Sequence, residues 1–251
     1  MKTKSIVVCL LFLFCYYSYA QKNDLKRMSV NGNVKSIKEY NYQTIEKNGE
    51  ITDGQLQFYY QNTFNSKGYK IEDVRYDPDG KINKRYEYKY DSAGKRIEQN
   101  QYTINGSLIR KIIYTYDATG NLAEDNSYNP DGKFDKKYTY IYDNAGNVAE
   151  DNSFDAENSL LKKFTYKYDN SGNKTESSRF SAKGVLEKKF AYTYDRKGML
   201  IEETDRSSDG TRTIYKFTYE TDKMGNWTKK ITSNDDKAVN VIVREIEYSQ
   251  Q

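Results

Sequence analysis

From about residue 70 to residue 194, apolar and polar positions alternate with a period of two, and the whole pattern returns every 26 residues. Alternation of this kind is what a pleated strand with one buried face requires. Runs rich in Tyr, Phe, Ile and Thr are separated by turn sequences of two kinds. The first is Asp-x-x-Gly, at Asp91 to Gly94, Asp117 to Gly120, Asp143 to Gly146, Asp169 to Gly172 and Asp195 to Gly198. The second is represented by Asp77-Pro78-Asp79-Gly80, Asn129-Pro130-Asp131-Gly132 and Ser181-Ala182-Lys183-Gly184. Asp or Asn first and Gly fourth suits a type I turn ending in a left-handed glycine, a common hairpin connection. Pro78 and Pro130 fall second in their turns, where a fixed φ helps. A fixed period of this length marks a repeat architecture.

Pairing across the turns puts Tyr76 opposite Ile82, Glu72 opposite Tyr86, Tyr90 opposite Arg96 and Tyr88 opposite Glu98. Even numbers thus meet even numbers, and because the period is even one face is written in them. That face gathers Tyr86, Tyr88 and Tyr90 with their repeats, and also Ile82, Leu108, Phe134, Leu160 and Leu186. The odd face is mostly Lys, Asp, Ser, Thr and Gln, so the even face is expected to be buried. About sixteen strands at about 4.8 Å make a sheet roughly 75 Å wide. A twist of about 20–25° per strand forbids flatness over that width. The expected fold is all-β, an antiparallel hairpin array curled into a spiral or an open barrel-like sheet. Residues 32–251 form one repeat domain and residues 21–31 a lead-in. The first unit carries about ten extra residues near Lys47 to Gly54, and Trp227–Ile231 with Val239–Tyr248 completes the array.

Residues 1–20 read differently. Lys2 and Lys4 precede an apolar run from Ile6 to Tyr17, and Ser18-Tyr19-Ala20 supplies small residues at the minus-3 and minus-1 positions. This is the pattern of a signal peptide cut between Ala20 and Gln21. Phe14 before Cys15 argues against a lipidated cysteine. The expected product is secreted, periplasmic or at the cell surface, with no transmembrane segment in the mature chain. Both cysteines, Cys9 and Cys15, leave with the signal. Without Lys2 and Lys4, 38 basic residues face 36 acidic ones, a net +2 that gives no reason to expect nucleic acid. A mean hydropathy of −0.99 is low enough to raise disorder, but 26 tyrosines and regular turns favour a packed β protein.

The motif Tyr-x-Tyr-Asp-x-x-Gly-Asn, at Tyr114 to Asn121, Tyr140 to Asn147 and Tyr166 to Asn173, resembles the YD repeats of the Rhs family over about residues 32–248. The resemblance implies a β-strand spiral and an extracellular or envelope setting, and carries a loose association with carbohydrate binding. The repeats are too few to enclose a cargo and no toxin is expected after Tyr248, so it implies fold rather than delivery. Turns such as Asn129 to Lys133 are more distantly similar to MORN-type hairpin repeats.

Two columns invite chemistry. Glu72, Glu98, Glu124, Glu150, Glu176 and Glu202 recur with the basic pairs Lys84-Arg85, Arg110-Lys111, Lys136-Lys137, Lys162-Lys163 and Lys188-Lys189. Each glutamate is expected to share a face with the even-numbered base. Glycoside hydrolysis needs two carboxylates in different environments, whereas these are equivalent, so a register-setting ladder is the better reading. Tyr88, Tyr114, Tyr140, Tyr166 and Tyr192 are candidates for stacking on sugar rings, although the same residues are needed as core. The turn aspartates are explained by bonds to their own turn backbone rather than by calcium. With no His and no mature Cys the chain lacks the usual general base, thiol nucleophile and zinc ligands. No catalytic residue, metal or cofactor is expected. The expectation is a non-enzymatic structural or interaction module with a protein or glycan partner at the cell envelope. A carbohydrate-binding module and, last, a carboxylate-dependent glycoside hydrolase are the alternatives.

Overall fold

A computed structural model describes residues 23–47, 50–235 and 237–249. The expected signal peptide and its Ala20–Gln21 cleavage site lie outside the described residues. One short helix, α1 (Asp24–Arg27), precedes β1 (Val34–Lys47), β2 (Glu50–Phe64), β3 (Lys70–Tyr76), β4 (Ile82–Tyr90), β5 (Arg96–Thr103) and β6 (Leu108–Tyr116). The chain continues through β7 (Leu122–Tyr128), β8 (Phe134–Tyr142), β9 (Val148–Phe154), β10 (Leu160–Tyr168) and β11 (Lys174–Ser181). It ends with β12 (Leu186–Tyr194), β13 (Leu200–Ser207), β14 (Arg212–Thr221), β15 (Trp227–Asn234) and β16 (Lys237–Tyr248). Each strand pairs antiparallel with its sequence neighbours, and β16 pairs with β1, from Val34 opposite Tyr248 to Tyr42 opposite Val241. The array is therefore a closed barrel, which the repeat pattern alone left open. Closure removes the sheet edges of the barrel wall, while the β1–β2 hairpin runs on past it, with Glu50–Phe58 paired to β1 alone among the described residues.

The turns form as their sequences require. Gly80 donates to the Asp77 carbonyl at 2.9 Å and Asp77 to the Lys81 carbonyl at 2.8 Å, with Gly80 at φ +81°. Asp155-Ala156-Glu157-Asn158 lacks the glycine, and Asn158 takes its place at φ +62°.

The register corrects the even-with-even pairing. Tyr76 does face Ile82 and Tyr90 does face Arg96, but beyond them one extra residue enters the strand that follows the turn. The same happens after the other turns from β3 to β13, whereas β13 and β14 pair without a shift. Asn83 bulges in β4 and Ile97 in β5, so Tyr86 faces Asp73, Tyr88 faces Gln99 and Glu98 faces Lys89. Glu72 lies opposite Glu87, not Tyr86. A one-residue slip exchanges the faces of everything after it. The tyrosines of β4, β6, β8, β10 and β12 consequently share a face with odd-numbered residues in the middle of the intervening short strands. The six-glutamate column goes to the opposite face. Ile82, Leu108, Phe134, Leu160 and Leu186 also leave the Tyr88 face, because they pair with Tyr76, Tyr102, Tyr128, Phe154 and Phe180, which alternate away from it.

The Tyr88 face is the lumenal one. Burial lifts the Asp125 and Asp151 carboxyls and depresses the Lys174 and Lys230 ammoniums, all on this side. On the other side Lys89 and Lys167 are 61% and 71% exposed while pairing with Glu98 and Glu176. The N-terminal segment docks on the lumenal face at the mouth formed by the Asp-x-x-Gly turns. Asp24 accepts hydrogen bonds from the Lys70 backbone N–H, the Tyr90 hydroxyl and Arg96 at 2.7–2.9 Å. The main apolar core sits beneath this segment at the β1–β16 seam, where Leu25, Val30, Val34, Ile37 and Phe64 cluster with Met28, Ile246 and Tyr248.

Candidate binding site in the barrel lumen

At mid-height the lumen carries a belt in which tyrosines from the long strands alternate with acceptors from the short ones. Tyr88 donates to Asp73 at 2.5 Å, Tyr114 to Gln99 at 2.9 Å and Tyr140 to Asp125 at 2.5 Å. Tyr166 donates to Asp151, and the Tyr192 and Ser177 hydroxyls meet at 3.0 Å. All five candidate tyrosines expected from the sequence are thus brought into one belt. Burial pushes their phenols upward; the adjacent carboxylate adds to the rise for Tyr88, Tyr140 and Tyr166, whereas the Ser177 hydroxyl opposes it for Tyr192. They remain half-buried, so ring surface stays accessible within the lumen.

The second tyrosine of each motif has another task. Tyr116, Tyr142, Tyr168 and Tyr194 donate to the carbonyls of Arg96, Leu122, Val148 and Lys174 at 2.8–3.0 Å. Each accepting residue begins a short strand, beside the bulge, where the ladder is interrupted. The tyrosine supplies the donor that the neighbouring strand does not.

The acceptor column Asp73, Gln99, Asp125, Asp151, Ser177 is not among the residues the sequence pattern singles out. It follows the Glu column by one residue and shares its period, but even-number pairing assigned it to the solvent side. Cations line the lumen at three places. Arg96 stacks over Tyr88 at 4.4 Å while paired to Asp24 at 2.7 Å. Lys174 lies 4.5 Å above Tyr166 and 5.7 Å from Tyr192, and Arg244 covers Trp227 at 3.4 Å while paired to Glu39. Burial, reinforced by Asp205, raises the Glu203 carboxyl near Lys174.

The glutamate column lies outside, paired to the odd-numbered bases rather than the even ones. Glu98 meets Lys111 at 3.2 Å, Glu150 meets Lys163 at 2.8 Å and Glu176 meets Lys189 at 2.8 Å. Burial tends to raise Glu98, but bonds from Lys89, Asn100 and Lys111 outweigh it and hold the carboxyl at about 2. Elsewhere in the column the ties are looser: Glu72 stands 3.9 Å from Arg85, and Glu124 accepts from Asn126. The turn residues act locally: Asp91, Asp117, Asp143, Asp169 and Asp195 each accept backbone N–H groups within their own turns, and Gly94, Gly120, Gly146, Gly172 and Gly198 all adopt positive φ.

No protein-family model matches the chain, and neither does any curated protein. Among solved structures it is similar to a porin-like protein from Bacteroides uniformis, with TM-score 0.58, 11% identity, and coverage of 85% of this chain and 98% of that one. At that identity the likeness concerns the fold alone. The chain also aligns to the TcdB2-TccC3-Cdc42 structure at 19% identity, spanning 78% of its own length but 11% of the other, with TM-score 0.34. A LolA superfamily protein from Nitrosomonas europaea aligns at 7% identity over 87% of both chains, with TM-score 0.29. Scores this low bear on neither fold nor function.

Proposed function

We propose that this chain is an exported, non-enzymatic interaction module of the cell surface or periplasm, and that the barrel lumen is its binding surface. The observation that carries this reading is the lumenal belt, in which five half-buried tyrosines meet acceptors from neighbouring strands. The β1–β16 pairing closes the barrel wall, although the β1–β2 arm beyond it keeps an unpaired edge at Glu50–Phe58. Of the two faces, the lumenal one holds half-buried tyrosines, buried carboxylates and stacked cations together. Export is supported by the signal-like pattern of residues 1–20. The Lys–Glu ladders of the outer face suit water, since a membrane-spanning barrel turns an apolar band outward. The Tyr-x-Tyr-Asp-x-x-Gly repeats place the chain with short YD-type proteins on this reading.

The carbohydrate alternative is favoured by one feature, the ring faces of lumenal aromatics such as Tyr138, which is 37% exposed. The belt hydroxyls are already bound within the protein, so a sugar would meet ring faces rather than those hydroxyls. The hydrolase reading gains nothing from the outer glutamates, three of which are held in ion pairs with lysines.

The test compares capture of envelope components and glycan-array binding by the chain, by a lumenal variant (Tyr138→Ala with Phe164→Ala) and by an outer-face variant (Tyr128→Ala with Lys137→Ala). Loss confined to the lumenal variant is expected. Binding that survives it and disappears with the outer-face variant would sink the proposal.

A further inference from the structure

Five repeats contain two adjacent bases, and the barrel sends them to opposite faces. The odd-numbered member, as in Lys111, Lys163 and Lys189, neutralises the outer glutamate ladder. The even-numbered member has no such duty. Lys84 lies opposite Arg75, Arg110 opposite Gln101, Lys136 opposite Ser127, Lys162 opposite Ser153 and Lys188 opposite Arg179, all on the lumenal face. These pairs form one layer across neighbouring strands β3 to β12, near the mouth opposite the N-terminal segment. Successive even-numbered bases are two strands apart, which is about 10 Å.

The layer is only partly neutralised. Glu187 holds Lys162 and Arg179, Lys188 is 2.5 Å from Asp205, and Asp135 stands 3.8 Å from Arg110. Among the described residues Lys84 and Lys136 make no ion pair or hydrogen bond. The Arg75 Nε is buried without a partner, its guanidinium 4.5 Å above Phe58. Two residues further along the long strands lies an aromatic layer of Tyr86, Tyr138, Phe164 and Phe190, with the Lys188 ammonium 5.8 Å from the Phe190 ring.

We infer that this mouth binds a carboxylated linear glycan. The inference deepens the proposed function and rests on its reading of the lumen as the binding surface. Regularly spaced cations in a concave, partly desolvated rim select a chain with regularly spaced anionic groups. The aromatic layer beneath them offers ring faces to the apolar sides of sugar rings. A single-stranded nucleic acid would also use cations with aromatics, but such proteins carry a strongly basic surface. Here 40 basic residues meet 36 acidic ones, and Lys89, Lys111, Lys163, Lys167 and Lys189 of the outer face are held by ladder glutamates.

Calorimetric titration with oligogalacturonate, with a neutral oligosaccharide of equal length and with oligothymidylate tests the inference. Oligogalacturonate alone is expected to bind, more weakly as salt is raised. Lys84→Gln with Lys136→Gln should lower its affinity about tenfold or more, because charge-assisted bonds are lost. Lys111→Gln with Lys137→Gln on the outer face should leave it within about twofold, as expected for partly screened surface charges. Neither lumenal lysine has a partner to lose, so the melting temperature serves as the fold control. No oligogalacturonate binding, equal binding of the neutral sugar, preference for oligothymidylate, or indifference to the lumenal pair would each overturn the inference. Equal neutral binding that is lost with Tyr138→Ala and Phe164→Ala would do so while leaving the lumen as the binding surface.

Discussion

The Tyr140 hydroxyl lies 2.5 Å from a carboxylate oxygen of Asp125 on the neighbouring strand, inside the barrel. The bond ties the first tyrosine of one repeat to the acceptor column of the repeat before it. Tyr140→Phe removes the donor and leaves a buried carboxylate with less solvation than it had. A loss of about 1–3 kcal/mol is expected in urea unfolding. Asp125→Asn should cost less, because an amide oxygen can still accept, as Gln99 does from Tyr114 at 2.9 Å.

The response to acid should be a contest between the two faces. Glu98, held at about 2 against an ordinary 4.5, contributes stability that is present above about pH 4.5 and is lost as pH falls toward 2. Asp125 has the opposite sign: its folded-state value is raised above 3.8, so its ionisation costs stability that is regained as pH falls through that raised value. Melting temperatures between pH 6 and pH 2.5 should therefore fall less steeply for Glu98→Gln and more steeply for Asp125→Asn than for the parent. The reverse order would refute the assignment of faces.

Two turn glycines separate backbone strain from crowding. Gly132 has φ +76° and open space where a Cβ would stand, so Gly132→Ala should cost about 1–2 kcal/mol from the left-handed conformation alone. Gly94 has φ +82°, and a Cβ there would clash with the Tyr69 hydroxyl and ring. Gly94→Ala should cost visibly more than Gly132→Ala in chemical denaturation, with displacement of Tyr69 from its 4.9 Å contact with the Tyr90 ring.

The seam is where apolar burial concentrates. Ile37 is fully buried and Ile97, on a bulge, is 40% exposed. Ile37→Ala should cost about 2–5 kcal/mol through transfer and cavity terms. Ile97→Ala should stay within about 0.5 kcal/mol, as surface changes usually do. Equal losses would mean that the β1–β16 closure contributes little to stability.

Strand count, antiparallel hairpins and turn positions were legible because they depend on local chemistry: Gly80 and Gly94 at positive φ, Pro78 second in its turn, tyrosines at every other position between. The inward direction of Tyr88, Tyr114, Tyr140, Tyr166 and Tyr192 followed from the same alternation. What the sequence could not disclose was the bulge that follows the turns from β3 to β13. Asn83 and Ile97 look like ordinary strand residues, yet each shifts its strand by one, which moved the glutamate column outward, brought Asp73, Gln99, Asp125 and Asp151 in, and divided each pair of bases between the two faces. Nor does a repeat state its own number of turns about an axis. Whether sixteen strands spiral onward or meet is settled by accumulated twist and coil, and by the fit of Val34–Tyr42 against Val241–Tyr248, a contact between the two ends of the chain that no local pattern records.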